Sequence, residues 1–146
     1  MRLRLKEVKN FEPYFFLFFG LFHLHRIWGI IDRKSYANFW LRIMSERGIF
    51  YWILMLVLLS LCLLGIITFF RNNRNNYWWR WIYLIGGIYL LFDLFAIILK
   101  LEFWQKLIFL MYDITSPYWN ILWLSFIIMG GLIFILGIKL LKRSNH

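Results

Sequence analysis

The amino-acid sequence predicts an all-α protein, a four-helix transmembrane bundle with two short amphipathic segments at its outer surface. Three observations carry this expectation. Of the 146 residues, 62% are apolar, 23% aromatic and only 16% charged, whereas soluble domains hold about 45–50% apolar and about 25% charged residues. Four stretches are long enough to cross a bilayer, which takes roughly 20 apolar residues at about 1.5 Å each. Seventeen Lys/Arg against seven Asp/Glu leave a net charge of +10. In so apolar a chain that positive charge points to anionic lipid, while the apolar excess itself excludes a nucleic-acid-binding domain. The single cysteine, Cys62, rules out an internal disulfide, a CxxC redox pair and a cysteine metal cluster.

Residues 1–146 read as one integral membrane domain with spans at about 13–31, 49–70, 81–99 and 118–138. The first opens on Pro13, which suits a first helical turn because its missing N–H costs nothing there. It contains His23, His25 and Arg26. Its Leu, Ile and Phe residues each favour insertion by about 0.3–0.6 kcal/mol and together outweigh one arginine at roughly 2.5–3.5 kcal/mol. A signal peptide is not expected, since Gly29 leads into Ile30, Ile31 and Asp32 with no small-x-small cleavage site. The second span, Ile49 to Phe70, carries no charge. The third is interrupted only by Asp93, and the fourth has Asn120 at its mouth.

Between the spans, residues 32–48 place Tyr36, Phe39, Trp40, Ile43 and Met44 at helical period, and residues 100–117 place Phe103, Trp104, Leu107, Ile108, Leu110 and Met111 likewise. Each segment is expected as a short helix in the membrane surface, a cap over the bundle's outer end in preference to a ligand-binding lid. The connection Arg71 to Asn76 reads as a polar hairpin, and no connection has room for a soluble catalytic domain.

Orientation follows from the basic residues on alternate sides. The N-terminal tail has Arg2, Arg4, Lys6 and Lys9, the 71–80 connection Arg71, Arg74 and Arg80, and the C-terminal tail Lys139, Lys142 and Arg143. The opposite side has Arg33, Lys34, Arg42, Arg47, Lys100 and Lys106. Both termini are therefore expected in the cytoplasm, with the protein in the plasma membrane. Tyr14, Tyr77, Trp78, Trp79 and Trp81 then mark the inner interface. Trp28, Tyr51, Trp52, Trp104, Tyr112, Trp119 and Trp123 mark the outer one.

The candidate site residues are the polar groups inside the apolar helices: His23, His25, Arg26 and Asp93. An ionisable group in a span is costly unless it pairs or reaches water. Arg26 stands five residues before the end of its span and Asp93 six, so both lie roughly 7–9 Å inside the outer boundary. Matched depth and opposite charge predict an Arg26–Asp93 ion pair, structural before functional. His23, three residues from Arg26, shares its face and extends the network. His25 points about 200° away from His23 around the helix, so the two cannot chelate one metal. A bis-histidine haem would need His146 or a second copy; no cofactor and no metal are expected. His25 and Gly29, one turn apart, mark a close helix contact, and Ser60, Gly65, Gly86, Gly87, Gly130, Gly131 and Gly137 argue packing. No catalytic residues are legible: there is no Ser/His/Asp set at one depth, no carboxylate pair in a span, no P-loop and no HExxH.

This layout resembles small bacterial membrane proteins of the DoxX-like kind. They have four helices, a His-x-x-x-Gly in the first (here His25 to Gly29 in FHLHRIWG) and a surface segment before the second (here YANFWLRIM). The resemblance implies a fold and no function. Two functional classes follow from the residues. One is a non-enzymatic accessory, regulatory or immunity-type protein acting on a membrane-protein partner or a second copy of itself. The other is a lipid- or small-ligand-binding protein, or a proton- or anion-coupled carrier, using His23, Arg26 and Asp93.

Overall fold

The computed structural model describes residues 11–71 and 77–144. The basic N-terminal tail, most of the polar 71–76 hairpin and His146 lie outside the described residues. All regular structure among the described residues is helical: α1 (Glu12–Leu24), α2 (Ile27–Ile31), α3 (Arg33–Glu46), α4 (Ile49–Arg71), α5 (Arg80–Ile98), α6 (Glu102–Met111) and α7 (Trp119–Ser144). Four segments are long and apolar enough to cross a membrane: Glu12–Ile31, Ile49–Arg71, Arg80–Ile98 and Trp119–Arg143.

Most expected ends hold to within a residue. The last helix continues past Ile138 because Lys139, Lys142 and Arg143 stop an apolar run without stopping a helix. Cations in a last turn offset the negative end of the helix dipole. The first span departs more. It is two helices, α1 and α2, joined by a tightened turn at His25 and Arg26. Its first turn also contains Glu12, which is completely buried. Arg80, at the start of α5, is likewise buried and lies 4.2 Å over the Phe69 ring. The two expected surface segments are helices, α3 and α6.

The described residues divide into two compact units, with boundaries inside α3 and at the end of α6. In the first unit, α1 packs along α7. Glycines set that approach: a Cβ on Gly20 would fall 2.6 Å from the Phe134 amide nitrogen, and one on Gly137 would fall 2.8 Å from that of Leu17. A Cβ on Gly130 would collide with the Cβ of His23. Gly131, expected to act with it, faces open space.

In the second unit, α4 packs along α5. Tyr51, Met55, Leu58, Cys62, Gly65 and Phe69 are buried along one seam of α4, and their alternating steps of four and three follow the heptad geometry of knobs-into-holes packing. The Cys62 thiol donates to the Gly87 carbonyl at 2.8 Å. A Cβ on Gly87 would sit 2.7 Å from Ile66, whereas Gly86 faces open space. Ser60, expected at a close contact, is exposed and donates to the Leu56 carbonyl of its own helix.

Candidate functional site

The polar groups of the first span fall in the first unit. At its centre α1 gives way to shorter-range bonds: the amides of Arg26, Trp28 and Gly29 reach the carbonyls three residues back, on His23, His25 and Arg26, at 3.3, 3.1 and 2.9 Å. That tightening withdraws a backbone donor from the Phe22 carbonyl, and His25 Nδ1 replaces it. His23 Nδ1 donates in the same way to the Phe19 carbonyl at 2.8 Å. A carbonyl only accepts, so both imidazoles carry a proton on Nδ1, and Nε2 of His25 accepts the Tyr36 hydroxyl at 3.1 Å.

Tyr36 comes from the first turn of α3 and is completely buried. Its ring lies against Gly29, where a Cβ would approach to 2.8 Å. The Gly29 carbonyl in turn accepts the Trp119 indole N–H at 2.8 Å. His25 and Gly29 are one turn apart and so share a face, and that face receives Tyr36. Around it stand Trp28, Tyr112, Trp119 and Trp123, with ring centroids 5.4–6.4 Å from that of Tyr36. The close contact expected of His25 and Gly29 is therefore made, with a tyrosine side chain from α3 on one side and a tryptophan from α7 on the other.

His23 and Arg26 both face α7. The His23 ring lies beside Phe126, and the Arg26 guanidinium sits 4.8 Å from the Phe126 ring centroid and 5.8 Å from that of Trp123. These separations are those of cation–π contacts. Their shared face is as expected, and the two histidines part company, His25 toward α3 and His23 toward α7. At the head of α3, Arg33 donates to Asn120 Oδ1 at 2.9 Å and to the Ile114 carbonyl at 3.4 Å. Between them an exposed turn is closed by Asp113, whose carboxylate accepts the Thr115 hydroxyl at 2.6 Å and its amide at 2.9 Å. Those two bonds hold the Asp113 carboxyl below the usual carboxylate range.

Asp93 belongs to the second unit, where its Oδ1 accepts the Trp104 indole N–H of α6 at 2.8 Å. Each of the paired candidates, Arg26 and Asp93, thus has a described setting within its own unit. A further cation, Arg47, donates from Nη1 and Nη2 to the Ile98 and Ile97 carbonyls at 3.1 and 2.8 Å, at the end of α5. Among the described residues no group of three or more His, Cys, Asp or Glu comes together that could hold a metal ion. Tyr36, Trp104, Arg47 and Glu12 carry contacts or burial, and none of them is among the site candidates of the sequence. The helical period of the 32–48 and 100–117 segments pointed at the first two, and the aromatic belt at Trp104 as well.

No protein-family model matches the chain, and neither a curated protein nor a solved structure matches it.

Proposed function

We propose that this chain is a multi-pass protein of the bacterial plasma membrane, a four-helix transmembrane bundle with cytoplasmic termini. It works as a non-enzymatic accessory, regulatory or immunity-type protein on a membrane-protein partner. The observation that carries this reading is the use made of the polar groups in the first span. His25 is committed to Phe22 and Tyr36, and His23 is committed to Phe19 and packed against Gly130. Tyr36, whose hydroxyl bonds to His25, is completely buried. Through the Tyr36 bond to α3 and the Gly130 contact with α7, these part-buried groups fasten helices to one another.

Four long apolar helices support membrane insertion, and the cytoplasmic termini rest on the excess of Lys and Arg on that side. The DoxX-like layout is compatible with this reading and adds no activity to it. The competing reading, a carrier or lipid-handling protein built on His23, Arg26 and Asp93, needs side chains that a ligand can reach.

Purification from native membranes in mild detergent separates the two. A stoichiometric protein partner is expected. A stoichiometric lipid or small ligand, held by the wild type and lost in Arg26→Gln, would replace this reading with the ligand-handling one.

A further inference from the structure

The two surface segments are treated alike by the sequence and differently by the fold. α3 buries Tyr36 and Ala37, whereas α6 has no buried residue. On α6, Phe103, Leu107 and Leu110 fall within roughly 60° of one another around the axis and are 58%, 38% and 65% exposed. Beside that strip Lys106, about 40° from Leu110 around the axis, pairs with Glu102 at 2.8 Å, both side chains open to solvent, and Phe109 interrupts this polar side.

Two devices place this helix. The chain leaves α5 through a left-handed Lys100, with the Leu101 amide on the Ala96 carbonyl at 3.0 Å and the Lys100 amide on that of Ile97 at 3.3 Å. This is the bonding of a Schellman turn, and it reverses the chain within three residues of the span's end. Trp104 then reaches back along α5 to Asp93, its indole edge-on to Phe92 with centroids 5.2 Å apart. The turn sets the level of α6 at the end of a membrane-length helix, and the Trp104–Asp93 bond sets its roll.

We propose that α6 is a lipid-docking helix. It lies in the headgroup layer with Phe103, Leu107 and Leu110 in the acyl chains and Lys100 and Lys106 at the phosphates, and Asp93 is the positioning residue that holds it there through Trp104. This rests on the membrane reading above. Lipid is the occupant because the apolar strip begins where the span ends, has the exposed Lys100 at its head and is bordered along one edge by the exposed Lys106–Glu102 pair. That is the distribution of an interfacial amphipathic helix.

The test uses single cysteines carrying an environment-sensitive fluorophore, in a Cys62→Ala background, with the whole protein in phosphatidylcholine–phosphatidylglycerol vesicles. A label at Leu110→Cys should be quenched by lipids brominated on their chains, and one at Lys106→Cys by aqueous iodide. Trp104→Phe or Asp93→Leu should abolish that contrast. Asp93→Asn should keep it, since its amide oxygen still accepts the indole N–H. A label at Ile128→Cys, on an exposed mid-helix position of α7, separates the possible failures. If Ile128 is quenched by brominated chains and Leu110 by iodide, α6 does not dock on lipid and only this proposal falls. If Ile128 also escapes the brominated chains, the membrane reading falls and this proposal with it. A contrast that survives both Trp104→Phe and Asp93→Leu removes the positioning role of Asp93.

Discussion

At the scale of single residues, adjacent glycines of α7 have opposite roles. A Cβ on Gly130 collides with His23, and one on Gly131 meets nothing within 4 Å. Gly130→Ala should therefore cost about 1–3 kcal/mol through overpacking. Gly131→Ala should gain roughly 0.5–1 kcal/mol, because alanine loses less backbone freedom in a helix. Thermal unfolding in detergent reads both, and equal effects would show that α1 does not approach α7 as closely as described. The hydroxyl of Tyr36 carries a separate prediction. Tyr36→Phe removes the bond to His25 Nε2 while keeping the ring in its place, so the loss should be about 1 kcal/mol. A loss as large as that of a core truncation would mean that the ring, not the hydroxyl, was displaced.

At the scale of elements, the end of α5 shows how a helix terminus is completed. Its last carbonyls have no partner within the helix. Three are taken up: Ala96 by the Leu101 amide, Ile97 by the Lys100 amide and Arg47, and Ile98 by Arg47. The guanidinium also places positive charge at the negative end of the helix dipole. Arg47→Gln should lower stability by about 1.5–3 kcal/mol, the range for hydrogen bonds from charged donors. Lys100→Gly should raise it by roughly 1 kcal/mol, since a left-handed backbone strains any residue with a Cβ. Hydrogen exchange at the Lys100 and Leu101 amides would register both changes locally.

At the scale of the molecule, the predictions concern membrane topology and the joining of charged groups. Cysteines placed at Ser45 and Ser144 and labelled from outside intact cells should react at Ser45 alone. Labelling at Ser144 alone would invert the topology. The Arg26–Asp93 pair, argued from depth and charge along the chain, has its test in a double-mutant cycle. Were the two charges paired, each single variant, Arg26→Gln or Asp93→Asn, would lose about 3–5 kcal/mol and the double variant would recover much of that loss. Simple addition of the two losses would remove the pair. Asp93→Asn keeps an acceptor for Trp104, so a loss in that variant reports on charge and not on the placement of α6.

What the sequence determined by itself is the linear plan: helices and no strands among the described residues, four of them long and apolar, with two shorter ones between. Length, hydropathy and the spacing of charges are properties of consecutive residues, and an apolar segment satisfies its backbone groups most simply by closing them into a helix. Which face of each helix is used was decided only by the tertiary structure. Ile49 to Phe70 is apolar all round, so no contrast in polarity distinguishes the seam of Tyr51, Met55, Leu58, Cys62, Gly65 and Phe69 from the exposed side. The same holds for Gly130 against Gly131, and for Gly87 against Gly86. The pairing of α1 with α7 and of α4 with α5, and the meeting of His25 with Tyr36, were equally beyond the linear pattern. Where every candidate face is apolar, packing is selected by shape, and shape becomes definite only when two helices meet.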